Sequence, residues 1–212
     1  AIDPDGKEIW ITNGKKGEAE VRVQYKDGKL YTETGRGYYP ANKYSVDAKY
    51  FTQVKNSLIK LQKSDVVINK IIKDLQESTH KHTLTSKERD HNIRDPKGTD
   101  PNAKKGSGTE TGINYNSPHV KEGHQDVETI LVHELSHALD EDQATLGQNN
   151  QVIADNGEGI TYKKKSGGRV ILKQTEVDAI NVGNLYRAKK GYTKRTEYSS
   201  SQNEDIPTGA IK

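Results

Sequence analysis

Asp126-Val127-Glu128-Thr129-Ile130-Leu131-Val132-His133-Glu134-Leu135-Ser136-His137-Ala138-Leu139-Asp140 is the stretch on which the fold of this chain turns. Its centre is an H-E-x-x-H motif on a helical pattern. His133 and His137, at i and i+4, stand one above the other on one helix face, where both imidazoles reach a single metal ion. Glu134, beside the first histidine, is placed to polarise water at the metal rather than to bind the metal itself. Val127, Ile130, Leu131, Leu135 and Ala138 form an apolar stripe that buries the helix, and Asp126 precedes it as an N-cap. Buried histidines need partners, and zinc is the usual one.

Working outward, composition limits what can complete such a site. The chain has 212 residues, no cysteine, and only 30% hydrophobic residues. One domain with a small appendage suits that length. Without cysteine there is neither a disulfide nor a thiolate zinc site, so any metal must be held by histidine and carboxylate. No apolar run is long enough to span a membrane, and no segment reads as a signal peptide. A net charge of +3 is too small to imply nucleic acid by itself. Methionine is absent, which predicts a piece of something longer rather than a chain begun at a start codon.

Upstream of the motif the pattern predicts β structure, then helices. A short strand over 8–12 follows the Asp3-Pro4-Asp5-Gly6 turn. Val21 to Tyr25 and Leu30 to Thr34 flank Asp27-Gly28, a strong hairpin signal. Residues 1–42 therefore read as a β-rich extension and 43–198 as the main domain. Helices are predicted over 46–62 and 65–77, with Asp65 capping the second, both for packing. His80 to Thr85 alternates like a strand; His80 and His82 share a face there and could bind a metal, or simply line an exposed strand. Asp90 to Gly108 reads as loop, and Gly112 to Asn116 as an edge strand able to pair with extended peptide. His119 and His124 fall in a loop, as surface residues.

Downstream, Asp140 to Gly159 is polar. A second hairpin pairs 160–163 with 169–172 across Ser166-Gly167-Gly168. A helix is expected over 176–190, with Thr175 as N-cap and Gly191 as its stop. The stretch 199–212 reads as a flexible tail.

A catalytic zinc site needs a third protein ligand and one open position. The metzincin spacing would require glycine at 140 and histidine at 143, where this chain has Asp140 and Gln143. A glutamate on a second helix is the alternative. Glu176, 39 residues beyond His137, fits, and the small Ala179 and Gly183 would let its helix approach closely. Asp142, Asp155 and Asp178 remain alternatives. Position 180 is Ile180, which removes the thermolysin-like supporting aspartate; Asp140 or Asp178 could orient the ligands instead. Arg195 and Tyr198, three apart, could offer a cation and a hydroxyl to a developing oxyanion, unless Arg195 merely belongs to the basic face of Arg187, Lys189, Lys190 and Lys194.

Together, H-E-x-x-H at His133, Glu134 and His137, the helix bearing Glu176 and Ala179, and Arg195-x-x-Tyr198 resemble the NleD-type effector metallopeptidases, and more distantly the clostridial neurotoxin light chains. The resemblance implies zinc on His133, His137 and Glu176, Glu134 as general base, and Arg195 and Tyr198 as oxyanion partners. The implied fold is α+β and zincin-like: the H-E-x-x-H helix, a second ligand-bearing helix and a small antiparallel sheet, behind the N-terminal hairpin extension. Asp3-Pro4-Asp5-Gly6 resembles the signature closing the constant core of Rhs/YD-repeat proteins. That likeness implies a secreted C-terminal toxin that cleaves an intracellular protein of a target cell, and a cognate immunity protein. The rival is a zinc-stabilised binding module without catalysis. A nucleic-acid-directed toxin using Lys163 to Lys165 and Arg187 to Arg195 ranks last, because aromatic interleaving and a nuclease carboxylate cluster are missing.

Overall fold

The computed structural model describes residues 9–15, 20–40, 42–43, 45–86, 92–94, 108–116, 126–143, 160–163, 169–172, 174–195, 197–199 and 204–205. The Asp3-Pro4-Asp5-Gly6 turn, His119, His124 and Asp155 lie outside these residues.

A six-stranded sheet forms the base of the molecule, in the order β3-β2-β1-β4-β6-β5. Strand β1 is Ile9–Thr12, β2 Arg22–Lys26, β3 Lys29–Thr32, β4 His82–Ser86, β5 Asn92–Arg94 and β6 Thr109–Ile113. The β2–β3 hairpin turns at Asp27 (φ 47°) and Gly28 (φ 75°). Both residues are left-handed, as a two-residue hairpin loop matched to strand twist requires. The sheet is mixed rather than the small antiparallel one anticipated: β4 pairs parallel with both β1 and β6. Parallel pairing needs long crossovers, and 69 residues separate Thr12 from His82, enough for a hairpin and two helices. Strand β1 therefore lies between β2 and β4, and the β-rich N-terminal stretch shares one sheet with the later strands. Asn92–Arg94, expected as loop, pairs with β6, and the strand anticipated at 112–116 occurs at Thr109–Ile113.

Alternation decides which face of the sheet is covered. Ile9, Ile11, Val23, Tyr25, Leu84 and Ile113 are all buried and join one cluster with the helices. Helix α1 spans Val46–Ser64 and contributes Phe51, Val54, Leu58 and Leu61; α2 spans Val66–Glu77 and contributes Ile68, Ile71, Ile72 and Leu75. Each such side chain contributes about 1.5–3 kcal/mol on leaving water. Asp65 ends α1 and starts α2, its carboxylate accepting the Val67 N–H at 2.7 Å. Val67 itself faces outward.

Helix α3, Val127–Asp142, carries the H-E-x-x-H motif and is capped by Asp126, whose carboxylate accepts the Glu128 N–H at 3.1 Å. Strands β7, Ile160–Lys163, and β8, Arg169–Leu172, form the second hairpin. Helix α4, Gln174–Lys189, begins one residue before Thr175, which is buried inside the first turn instead of capping it. Strand β9, Glu197–Ser199, pairs with β10, Glu204–Asp205, so the stretch read as a tail holds a strand. Helices α3 and α4 pack directly on each other: a Cβ built on Gly183 would stand 3.5 Å from Thr129 Cγ2.

Candidate metal centre

Two helices meet at the H-E-x-x-H face. His133 Nε2 stands 3.5 Å from Glu176 Oε2, and His137 Nε2 stands 3.5 Å from Glu176 Oε1. The two imidazole rings are edge to face, centroids 4.8 Å apart. Those spacings test the fit of an ion. In a tetrahedral site with bonds of about 2.0–2.2 Å, neighbouring ligand atoms lie roughly 3.3–3.6 Å apart. The observed 3.5 Å separations match that figure and exceed a good hydrogen bond. Among the described residues, this is the one group of three His, Cys, Asp or Glu side chains placed to hold a metal ion.

Charge in the group suits a cation. Burial alone would raise the Glu176 carboxyl, but His133 and His137 outweigh it and hold the group well below the usual carboxylate range. Glu176 is therefore an anion at neutral pH. Burial would lower His137, and Glu176, Glu134 and Asp140 outweigh that and raise it. Glu134 and Asp140 thus act electrostatically on the same spot as the ligand set. Of the other carboxylates that could take the third position, Asp178 is not in the group, and Asp142 is engaged elsewhere.

That other engagement fixes the helix in place. At its C-terminal end, Asp142 receives hydrogen bonds from Ser78 Oγ, from His80 Nδ1 at 2.8 Å and from His82 Nε2 at 3.1 Å. A carboxylate only accepts, so Nε2 of His82 carries a proton, and Nδ1 is hydrogen-bonded to Thr109 Oγ1 at 3.0 Å. His80 and His82 are therefore neither a metal site nor an exposed strand face; His82 is 2% exposed. Burial would raise Asp142, but these three donors hold it down at about 2.

The N-terminal end is held just as firmly. Glu128 is buried and accepts from Ser57 Oγ at 3.0 Å and Lys60 Nζ at 2.7 Å, both on α1. Burial favours the neutral form of both Asp126 and Glu128; Lys60 and Ser57 keep the charge on Glu128, and Asp126 is pushed up beside it. An acidic residue at each end thus anchors α3, one to α1 and the other to β4 and the turn before it. Neither anchor was anticipated from the pattern. Glu128 had a signal, because a charge in the register of Leu131, Val132 and Leu135 demands a partner. Asp142 had another, because an acid in the last turn opposes the helix dipole.

Arg195 is held to α4 through its main chain. Its N–H donates to Asn184 Oδ1 at 2.7 Å, and its carbonyl oxygen accepts from Asn184 Nδ2 at 3.0 Å. Tyr198 lies in β9, and its side chain lies outside the described residues. A cavity of about 580 Å³ opens against the sheet face away from α1 and α2, lined by Thr12, Arg22, Lys81, Thr85 and Glu110 among others. It includes none of His133, Glu134, His137 or Glu176.

The fold and this group together define an α+β protein with a candidate metal centre between two packed helices. Comparison with known families is specific. Residues 40–198 match the Peptidase_M91 family of effector proteins, and the chain belongs to that family. No curated protein and no solved structure matches it. No helix among the described residues is long and apolar enough to cross a membrane.

Proposed function

We propose that this chain is a zinc-dependent endopeptidase toxin that cleaves a protein inside a target cell. The observation that carries it is the spacing of His133, His137 and Glu176, 3.5 Å across each histidine–glutamate edge, within the stretch matched by a peptidase effector family. His133, His137 and Glu176 would hold the ion. Zinc bound there would supply a Lewis acid that brings the pKa of water near neutrality. Glu134 takes the proton from the attacking water and passes it to the leaving amine nitrogen. Arg195 and Tyr198 donate to the negative charge that develops on the substrate carbonyl oxygen. Glu128 and Asp142 hold α3 still, so the two imidazoles meet Glu176 without a rearrangement.

The Rhs-like Asp3-Pro4-Asp5-Gly6 sequence supports a chain released as the C-terminal toxin of a polymorphic toxin, delivered into the target cell and matched by an immunity protein. On that view residues 1–42 close the Rhs core and hairpin, and 43–198 hold the peptidase. Effector membership supports delivery into another cell.

Glu134→Gln separates catalysis from metal holding. The variant retains one zinc per chain and releases no new protein N-termini in a target-cell lysate. Persistent cleavage by the variant would sink the peptidase assignment. Chelation separates it from the binding-module rival, since a structural zinc takes the fold with it whereas a catalytic one takes activity first.

A further inference from the structure

Helix α4 ends in a reversal that sends the chain back along its own side. Gly191 is left-handed (φ 71°), its N–H reaches Ala188 O at 3.1 Å, and the Tyr192 N–H reaches Arg187 O at 2.9 Å. That pair of bonds is the Schellman closure. The returning segment is then fastened twice. Arg187 Nε donates to Thr193 O at 2.7 Å, and one turn earlier on the helix Asn184 takes both the N–H and the C=O of Arg195. Residue 193 lies beside 187 and residue 195 beside 184, so the segment runs antiparallel to α4, towards Glu176. Asn184 and Glu176 are eight residues apart, about 12 Å at 1.5 Å per residue. Thr129, against which Gly183 packs, lies one turn of α3 before His133, about 6 Å on the same measure. Arg195 is therefore moored about two turns of α4 from Glu176, in a segment that runs towards it.

The character of the mooring is informative. Asn184 is 1% exposed and spends an acceptor and a donor of its side chain on one residue's main chain. A solvated basic face needs no such grip, and its neighbour Lys194 is exposed. We propose that Asn184 is a positioning residue: by gripping the main chain of Arg195 on both sides, it sets where that guanidinium meets the carbonyl oxygen of a bound substrate. This rests on the peptidase assignment above. Arg195 supplies the charge, and Asn184 supplies its address.

The test uses the full chain. In the zinc-loaded protein, Asn184→Ala lowers the rate at which new protein N-termini appear in a target-cell lysate by roughly a hundredfold, the size of loss a displacement of about 1 Å can bring. Zinc affinity, measured by competition with a chromogenic chelator, stays at the wild-type value, because no ligand is touched. Hydrogen exchange at the Arg195 amide, followed in the metal-free protein, accelerates. Asn184→Asp retains the oxygen that accepts that amide, so it loses less activity and also serves where the alanine variant fails to fold. In an Arg195→Ala background, adding either substitution costs nothing further, since residues acting through one group are not additive. Wild-type cleavage by Asn184→Ala, a full second loss in the double variant, or a parallel loss of zinc would overturn the proposal. If the wild type releases no more N-termini than Glu134→Gln, the peptidase assignment falls and takes this proposal with it. If those two differ while the Asn184 variants match the wild type, this proposal alone falls.

Discussion

Replacing Asp142 tests whether the metal helix is held by its far end. The folded carboxyl titrates at about 2 where its ordinary value is 3.8, a difference of about 2 kcal/mol in favour of the charged, hydrogen-bonded form. Its side chain is only 12% exposed, so solvent screens little of this. Asp142→Asn retains an accepting oxygen and loses the charge, so about 2 kcal/mol of stability goes at pH 7. Asp142→Ala in addition orphans Nε2 of His82, which is buried, and an unsatisfied buried donor costs about 1–3 kcal/mol more. Urea unfolding of the metal-free protein, followed by far-UV circular dichroism, measures both losses without the metal's own contribution. The pH dependence has a definite sign. A carboxyl lowered on folding contributes fully above its unfolded value near 4, and the contribution is lost as pH falls through about 2. Wild type and Asp142→Asn therefore converge as the pH falls from 5 to 2. Equal stability of Asp142→Ala and wild type at pH 7, or a gap that widens in acid, refutes the anchoring of α3 at this end.

Glu128→Ala strands Ser57 inside the protein and removes the partner of Lys60, for a loss of about 2–4 kcal/mol in urea unfolding; Lys60→Met costs a similar amount, because it leaves the Glu128 carboxylate, 5% exposed, without its cation. Gly183→Ala is tolerated, because the new methyl meets Thr129 only at 3.5 Å and alanine favours the helix by about 1 kcal/mol, so unfolding shows no loss of stability. Gly183→Leu instead pushes α4 off α3 and weakens zinc binding, read by chelator competition. Removing residues 1–40 bares the β1 side of β4 and strips Ile9, Ile11, Val23 and Tyr25 from the core, so the shortened chain is recovered only as aggregate; a soluble, cooperatively unfolding product would show that the remaining strands suffice.

Local geometry is legible in the sequence wherever one helix or one turn decides it. His133 and His137 share a face by helical spacing alone, Asp126 and Asp65 cap as their positions suggest, and Asp27-Gly28 turns the first hairpin. Glu176 was reachable because the small Ala179 and Gly183 mark the side on which α4 meets α3. The sheet was harder. Nothing local says that β1 pairs with β4 across 69 intervening residues, so the pattern predicts an antiparallel sheet where parallel pairing occurs. The anchors failed for the same reason, since Glu128 meets α1 and Asp142 meets β4 only after the core closes. His80 and His82 looked like ligands or surface because their carboxylate partner lies 60 residues away or more. The role of Asn184 carries no sequence signal, because a side chain that grips a distant main chain leaves no periodic trace.

The place of β1 also governs how this molecule comes apart under load. It is a middle strand with an antiparallel neighbour on one side and a parallel one on the other. Tension applied from the N-terminal side therefore acts on two ladders together, and pulling along the strands loads their hydrogen bonds in shear rather than one at a time. Such a strand resists until it leaves as a unit, and its departure splits the β2–β3 hairpin from the rest of the sheet. Load entering from that side is therefore borne by both ladders of β1 before it reaches the metal helix.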